Sequence, residues 1–262
     1  FFNDYRVALN SEYYDFVYIS LTNNLHFKYA KMALNLGMNV IVDKPITTSF
    51  QKTQNLIRIA KKKRLMLSEL TIFNYHIVFE KILKLIGGKN KIESIHANFN
   101  IPLPKKLNLI SQRFDGCNYN MGSYAAAIVR LYLFGKIKEK FVSKINFRGK
   151  YKNINKEFNL LIKNKYCSFF GNFSISREYI SNLIFMGNQK IIEIPFQAFA
   201  LPCDKKIKIN IKKNNKKYIM KFKDDYIKKA FENIIYAKFS KNYYYEMIII
   251  DNRIKKKLKL IN

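Results

Sequence analysis

The sequence predicts an α/β segment built on a parallel sheet, followed by an α+β segment built on a large, mainly antiparallel open sheet. Three observations carry this. Short apolar runs alternate with helical patterns between Phe16 and Glu69, a β-α-β-α-β order. From Ile92 onward a long series of strand patterns is broken by turn signals. Helical patterns stand apart from that series, around Tyr119 and again after Tyr226, which is the mark of an α+β layout.

Taken in order, residues 3–14 form a short helix and loop. F-V-Y-I-S at Phe16–Ser20 is a buried strand ending at the turn and cap signal Thr22-Asn23-Asn24. Leu25, Tyr29, Met32, Ala33 and Leu36 recur at helical spacing, with Gly37 placed to end the helix in a left-handed conformation. The next strand, N-V-I-V-D at Asn39–Asp43, runs straight into Lys44 and Pro45. Thr48-Ser49-Phe50-Gln51 fits a capping box for a helix closed by Lys61–Arg64, and L-M-L-S-E at Leu65–Glu69 is the third strand. This is the second half of a doubly wound sheet, in which ligands bind beyond the carboxyl ends of the strands. Asp43 and Lys44 therefore stand where chemistry is expected.

Beyond Phe73 come a helix over 78–86 closed by Gly87-Gly88, a strand over 92–99, a Pro-marked loop, and a helix over 119–134. Strands follow over 141–150, 157–163, 166–174, 179–186, 191–194, 206–211 and 218–222, and then helices over 226–239 and 244–257. Two domains are expected: residues 1–73, a partial dinucleotide-binding domain without its first strand and Gly-rich loop, and residues 74–262, an α+β substrate-binding and oligomerisation domain. The chain opens at Phe1 and carries no G-x-G-x-x-G, so an N-terminal piece of about 50 to 60 residues is expected to be missing.

The formal charge of +30 suggests nucleic acid at first sight. Only eight of the 48 basic residues are Arg, however, and Asn, Ile, Lys, Phe and Tyr are abundant throughout, which is how an AT-rich genome fills tolerant surface positions. Runs such as 61–64 close a helix, and 205–213 alternates Lys with Ile as a strand edge does. No nucleic-acid partner is expected. No apolar run reaches the ~20 residues of a membrane span, so a cytoplasmic protein without membrane contact is expected. Cys117, Cys167 and Cys203 are far apart, and His26, His76 and His96 show no ligand spacing, so no metal is expected.

With these residues in hand the chain resembles the Gfo/Idh/MocA family of NAD(P)-dependent oxidoreductases. The matching pieces are D-F-V-Y-I-S-L-T-N-N-L-H (Asp15–His26), L-G-M-N-V-I-V-D-K-P (Leu36–Pro45), the block from Asp115 to Gly135, and the stretch from Glu178 to Ile194. The F-E-N-I-I helix near Phe231 adds to them. The resemblance implies a Rossmann-type first domain, NAD or NADP as cofactor, a sugar or nucleotide-sugar substrate, and a homo-oligomer formed through the open sheet. It makes Lys44 the lysine of the family's E-K-P motif, with Asp43 in place of the usual glutamate, and Tyr124 the acid/base residue. The family's usual aspartate on that helix is Asn120 here, and a further one is Ala127. Thr22, Asn23, His26, Asp43, Lys44 and Pro45 are the expected cofactor contacts. Arg113, Asn120 and Tyr124 are the expected substrate contacts.

The chemistry has its own rationale. Moving a hydride at a sugar carbinol carbon requires a group that moves the hydroxyl proton, and a phenol does this when a nearby lysine ammonium stabilises its phenolate. Asn120 and Tyr124, spaced i, i+4, can share one helical face. Alone, Tyr124 would be an ordinary packed residue beside Ile128 and Leu131, Lys44 a solvated charge, and His26 as readily a helix cap as a ribose contact. The ordered match weighs for function: an NAD(P)-dependent sugar dehydrogenase or ketoreductase, of the kind used in surface-polysaccharide synthesis. The competing reading is a non-catalytic remnant that acts as a binding protein.

Overall fold

The computed structural model describes residues 1–103, 116–133, 137–203 and 205–262, with no account of the Lys150 side chain. The chain divides into two compact units, residues 1–71 with 231–262, and residues 72–230.

The first unit is a three-stranded parallel sheet in the order β1 (Phe16–Ile19), β2 (Asn39–Asp43), β3 (Leu67–Leu70). It is the expected Rossmann-type half. Val40, Ile41 and Val42 are 0%, 2% and 0% exposed, as a strand covered on both faces requires. Each such side chain contributes roughly 1.5–3 kcal/mol on burial. Helix α1 (Tyr5–Ser11) precedes β1. Helix α2 (Asn23–Asn35) buries Ala30, Ala33 and Leu34, and helix α3 (Phe50–Lys63) buries Leu56, Ile57 and Ala60, all into one core with Val40, Val42 and Leu67. Gly37 is left-handed as expected, with φ 90°. The cap of α3 falls one residue later than the expected box: Ser49 Oγ accepts from Lys52 N, and the helix ends at left-handed Arg64.

Residues 231–262 return to this unit, whereas the pattern had assigned all of 74–262 to a second domain. The reason lies in α7 (Lys241–Lys257), the last helix, whose Tyr245 and Ile248 complete the core around β2 and β3. On the opposite sheet face Phe231 meets the Tyr18 ring edge-on at 5.3 Å. Phe231 belongs to α6 (Tyr226–Ile235), the helix in which the chain passes from one unit to the other.

The second unit holds, among the described residues, an eight-stranded sheet in the order β11-β10-β9-β8-β4-β7-β6-β5. In chain order these are β4 (Ser94–Asn100), β5 (Glu139–Asn146), β6 (Asn155–Lys163), β7 (Ser168–Ser174), β8 (Ile180–Gly187), β9 (Lys190–Ile194), β10 (Ile207–Lys213) and β11 (Lys216–Phe222). All pairings are antiparallel except β4 with β7. Helix α5 (Cys117–Tyr132) backs β6 and β7, and its small residues Ala125, Ala126 and Ala127 allow the close approach. Helix α4 (Ile77–Ile86) starts at His76, whose side chain caps it, and ends at left-handed Gly87. No helix among the described residues is long and apolar enough to cross a membrane, and no cluster of three or more potential ligands could hold a metal.

Candidate active site

In the first unit the strands deliver their polar residues to one edge, as the alternation of β-strand and helix dictates. Thr22 is the N-cap of α2 and its Oγ1 donates to Asn24 Oδ1 at 2.7 Å. Asn23 follows, and its Nδ2 is buried with no hydrogen-bond partner. An unmet buried donor costs ~1–3 kcal/mol. At the end of β2, Asp43 Oδ1 accepts from Lys44 N at 2.8 Å, the Lys44–Pro45 peptide is cis, and both Asp43 and Lys44 are half-buried. Asp43 lies beside Tyr18, whose phenol is pushed above its ordinary range first by burial and then by that carboxylate.

His26, expected among the cofactor contacts, is 0% exposed, and both ring nitrogens face protein carbonyls, Pro45 O at 2.8 Å from Nδ1 and Leu21 O at 2.9 Å from Nε2. It has no free edge to offer a ligand. Pro45 is likewise buried, so its part in the site is to shape the turn. The turn continues into a closed network in which the Thr47 and Thr53 hydroxyls meet at 2.8 Å and Ser49 N donates to Thr47 Oγ1 at 3.1 Å.

In the second unit Tyr124 projects from α5 and is half-buried in an aromatic nest. Phe73, Phe99 and Phe199 have ring centroids 5.3, 5.4 and 5.6 Å from its own. Asn120, one turn earlier, donates from Nδ2 to Gly116 O at 2.9 Å. Ala127 is fully buried, so no polar group replaces the aspartate of the family pattern there. The start of α5 is fixed from outside the helix. Gly116 takes φ +115°, a conformation that favours glycine, and has no capping side chain. The cap comes instead from Asn155 on β6, whose Oδ1 accepts from Asn118 N at 3.2 Å while its Nδ2 donates to Ile145 O and Glu157 O. A Cβ on residue 116 would stand 3.1 Å from the Asn155 backbone. Arg113 lies outside the described residues.

Asn155 and Phe199 were not singled out in the sequence. Neither carries a local signal, since a cap supplied from a distant strand and a ring supplied from a loop are known only once the chain is folded.

The first unit is a Rossmann-type parallel α/β half, and the second is an open, mainly antiparallel sheet backed by one helix. Residues 1–71 match the model of the Gfo/Idh/MocA group, described as an oxidoreductase family with an NAD-binding Rossmann fold. The chain is 27% identical over 136 residues to D-xylose 1-dehydrogenase (NADP(+)) 2 of Haloferax volcanii, covering 50% of this chain and 42% of that one. With dTDP-3,4-didehydro-2,6-dideoxy-alpha-D-glucose 3-reductase of Streptomyces violaceoruber it shares 28% over 139 residues, 51% of this chain and 40% of that one. The matches thus span about two fifths of the length of these relatives. Among solved structures, the 3-ketoreductase KijD10 of Actinomadura kijaniata, in complex with TDP-benzene and NADP, superposes with TM-score 0.86 at 20% identity. That superposition covers 98% of this chain and 80% of that one. The likeness shows that the fold extends through both units.

Proposed function

We propose that the chain is the greater part of an NADP- or NAD-dependent oxidoreductase that interconverts a hydroxyl and a ketone on a sugar or nucleotide-linked sugar. The observation that carries this is the edge of the first unit where Lys44 follows β2 and the buried Asn23 amide, without a hydrogen-bond partner, opens α2 just past β1. The similar proteins act in the same chemical range: a xylose dehydrogenase, a dTDP-sugar 3-reductase, and a ketoreductase holding NADP and a TDP compound.

In this reading Thr22 and Asn23 hold the cofactor edge, and the bound nicotinamide gives or takes the hydride. The proton is the task of this chain's own residues. Tyr124 exchanges it with the substrate oxygen, and the Lys44 ammonium stabilises the phenolate left behind. Asn120 orients the sugar from the same helical face as Tyr124, and Arg113 meets an anionic group of the substrate. The test is turnover of TDP- or UDP-linked keto sugars, followed by cofactor absorbance, with the chain and any coding sequence that precedes Phe1. Lys44→Ala and Tyr124→Phe should each lower kcat by ~10²-fold or more. If both retained near-wild-type turnover, the assignment would be wrong.

The outer face of the large sheet supports a second part of the reading, a homo-oligomer. Phe141, Leu161, Phe170, His96 and Ile184 stand in register across five strands, and Phe141 and Phe170 are 62% and 41% exposed. On β7, β4 and β8 this face is made of Ser, Asn, His, Phe, Ile and Met with no formal charge. On a +30 chain this uncharged face stands out, and depletion of charge marks interface cores.

A further inference from the structure

The loop after β1 and the turn after β2 are joined by one side chain. His26 sits in the first turn of α2, fully buried, with Nε2 2.9 Å from the carbonyl oxygen of Leu21 and Nδ1 2.8 Å from that of Pro45. Leu21 immediately precedes Thr22 and Asn23, and Pro45 immediately follows Lys44.

We propose that His26 is a positioning residue that clamps these two loops into one unit, so that the groups meeting the cofactor and the lysine meeting the substrate are set by a single buried ring. The protonated ring suits the task, because both nitrogens then carry N–H groups that point in divergent directions from a rigid plane, whereas the neutral ring has one N–H and can donate to only one of the two carbonyls. An amide or hydroxyl side chain cannot reach both. Without the ring, two buried carbonyls lose their partner together, and each is costly to leave unmet. The consequence is specific: the two loops lose order jointly, although they lie nearly twenty residues apart in the chain.

The consequence for catalysis rests on the oxidoreductase reading; the coupling of the loops does not, and the experiment separates the two. Amide hydrogen exchange is measured on the chain carrying His26→Gly, reading peptides that cover residues 20–25 and 43–48. Both should lose protection together, at least ten-fold in exchange rate, while peptides over β3 and α3 stay within two-fold of wild type. Added imidazole should restore protection in both loops, whereas 1-methylimidazole, which has one ring nitrogen blocked, should restore at most one. Loss confined to one loop, or equal rescue by both compounds, overturns the proposal. If His26→Gly does not fold, His26→Asn is read in the same way, since its single amide should protect one loop and free the other; protection retained in both would be equally decisive against the clamp. Where turnover can be measured, kcat should fall ten-fold or more and imidazole should recover it, an effect that a general loss of folded protein would not show. Loop coupling without any turnover would leave the clamp standing and remove the oxidoreductase reading.

Discussion

Lys255 reaches Glu69 across the first unit, with Nζ 3.2 Å from Oε2 and 3.4 Å from Oε1, and the two side chains are 1% and 5% exposed. The pair joins the last helix to the end of β3. Removing one member strands a buried charge, which costs ~3–5 kcal/mol, whereas replacing both with apolar groups of similar volume is often neutral. Lys255→Met should therefore destabilise the chain by about that amount in urea denaturation. The double variant Lys255→Met with Glu69→Leu should recover most of the loss. A double variant as unstable as the single one would show that the pair is not the source of the effect.

The cap on α5 makes a second prediction. Asn155 is 6% exposed and serves three backbone groups at once, one of them at the start of the helix that carries Asn120 and Tyr124. Asn155→Ala leaves all three unmet and should cost about 2–3 kcal/mol. Asn155→Asp keeps the acceptor but sets a buried carboxylate oxygen against the Ile145 and Glu157 carbonyl oxygens, so its cost should be larger still. Hydrogen exchange at the first turn of α5 should rank the two variants in that order.

His76 gives the chain an acid-side weakness. Burial is the main force lowering it from 6.5 to about 4; Asp224 opposes the shift and Lys229 adds to it. Its Nδ1 already accepts from Val78 N at 3.0 Å, which the protonated ring could not do. The unfolded chain therefore binds a proton below its ordinary value while the folded chain refuses it. Stability is fully present above pH 6.5 and is lost progressively down to about pH 4. Allowing for partial solvent screening, the loss across that window should be about 2 kcal/mol. His76→Asn, which keeps a capping side chain and removes the titration, should flatten this part of the stability profile; an unchanged profile would assign the acid loss elsewhere.

The uncharged sheet face predicts the effect of a misplaced lysine. Phe170→Lys puts charge in the middle of the row formed by Leu161, Phe170 and His96. If two copies meet there, light scattering should show the assembly shifting to monomer with folding unchanged. Lys at Tyr218, 50% exposed on the edge strand β11, should leave the assembly intact.

Most of the fold was legible because it rests on local periodicity. The strands at 16–20 and 39–43 and the glycine stops at Gly37 and Gly87 sit within a residue or two of their expected places. What the pattern could not show depends on contacts between distant segments. The apolar stripe of the last helix is the same whichever unit it covers, so Tyr245 and Ile248 gave no sign that they pack on β2 and β3. Lys255 sits in the cation-rich last turn of its helix, where such residues are common, and only the partner on β3 sets it apart. His26 could be seen to stand near a strand end, but not to face two carbonyls. For Lys44 and Tyr124 the sequence supplied residue type and element, and the structure added the turn around one and the aromatic nest around the other.

Asn23 allows function to be separated from stability. Its Nδ2 is buried without a partner, so the side chain does not contribute a completed hydrogen bond to the fold. Truncation usually destabilises a protein when it breaks a satisfied group, and removing an unsatisfied one is close to neutral. Asn23→Ala should therefore keep stability within ~0.5 kcal/mol of wild type, helped by alanine's better helix propensity in the first turn of α2. If the amide waits for an acceptor on the dinucleotide, the same substitution should weaken NADP binding by about ten-fold, the equivalent of ~1.4 kcal/mol. Thermal denaturation and a fluorescence titration with NADP decide the matter together. Binding unchanged with stability unchanged would mean that the amide faces nothing the cofactor provides.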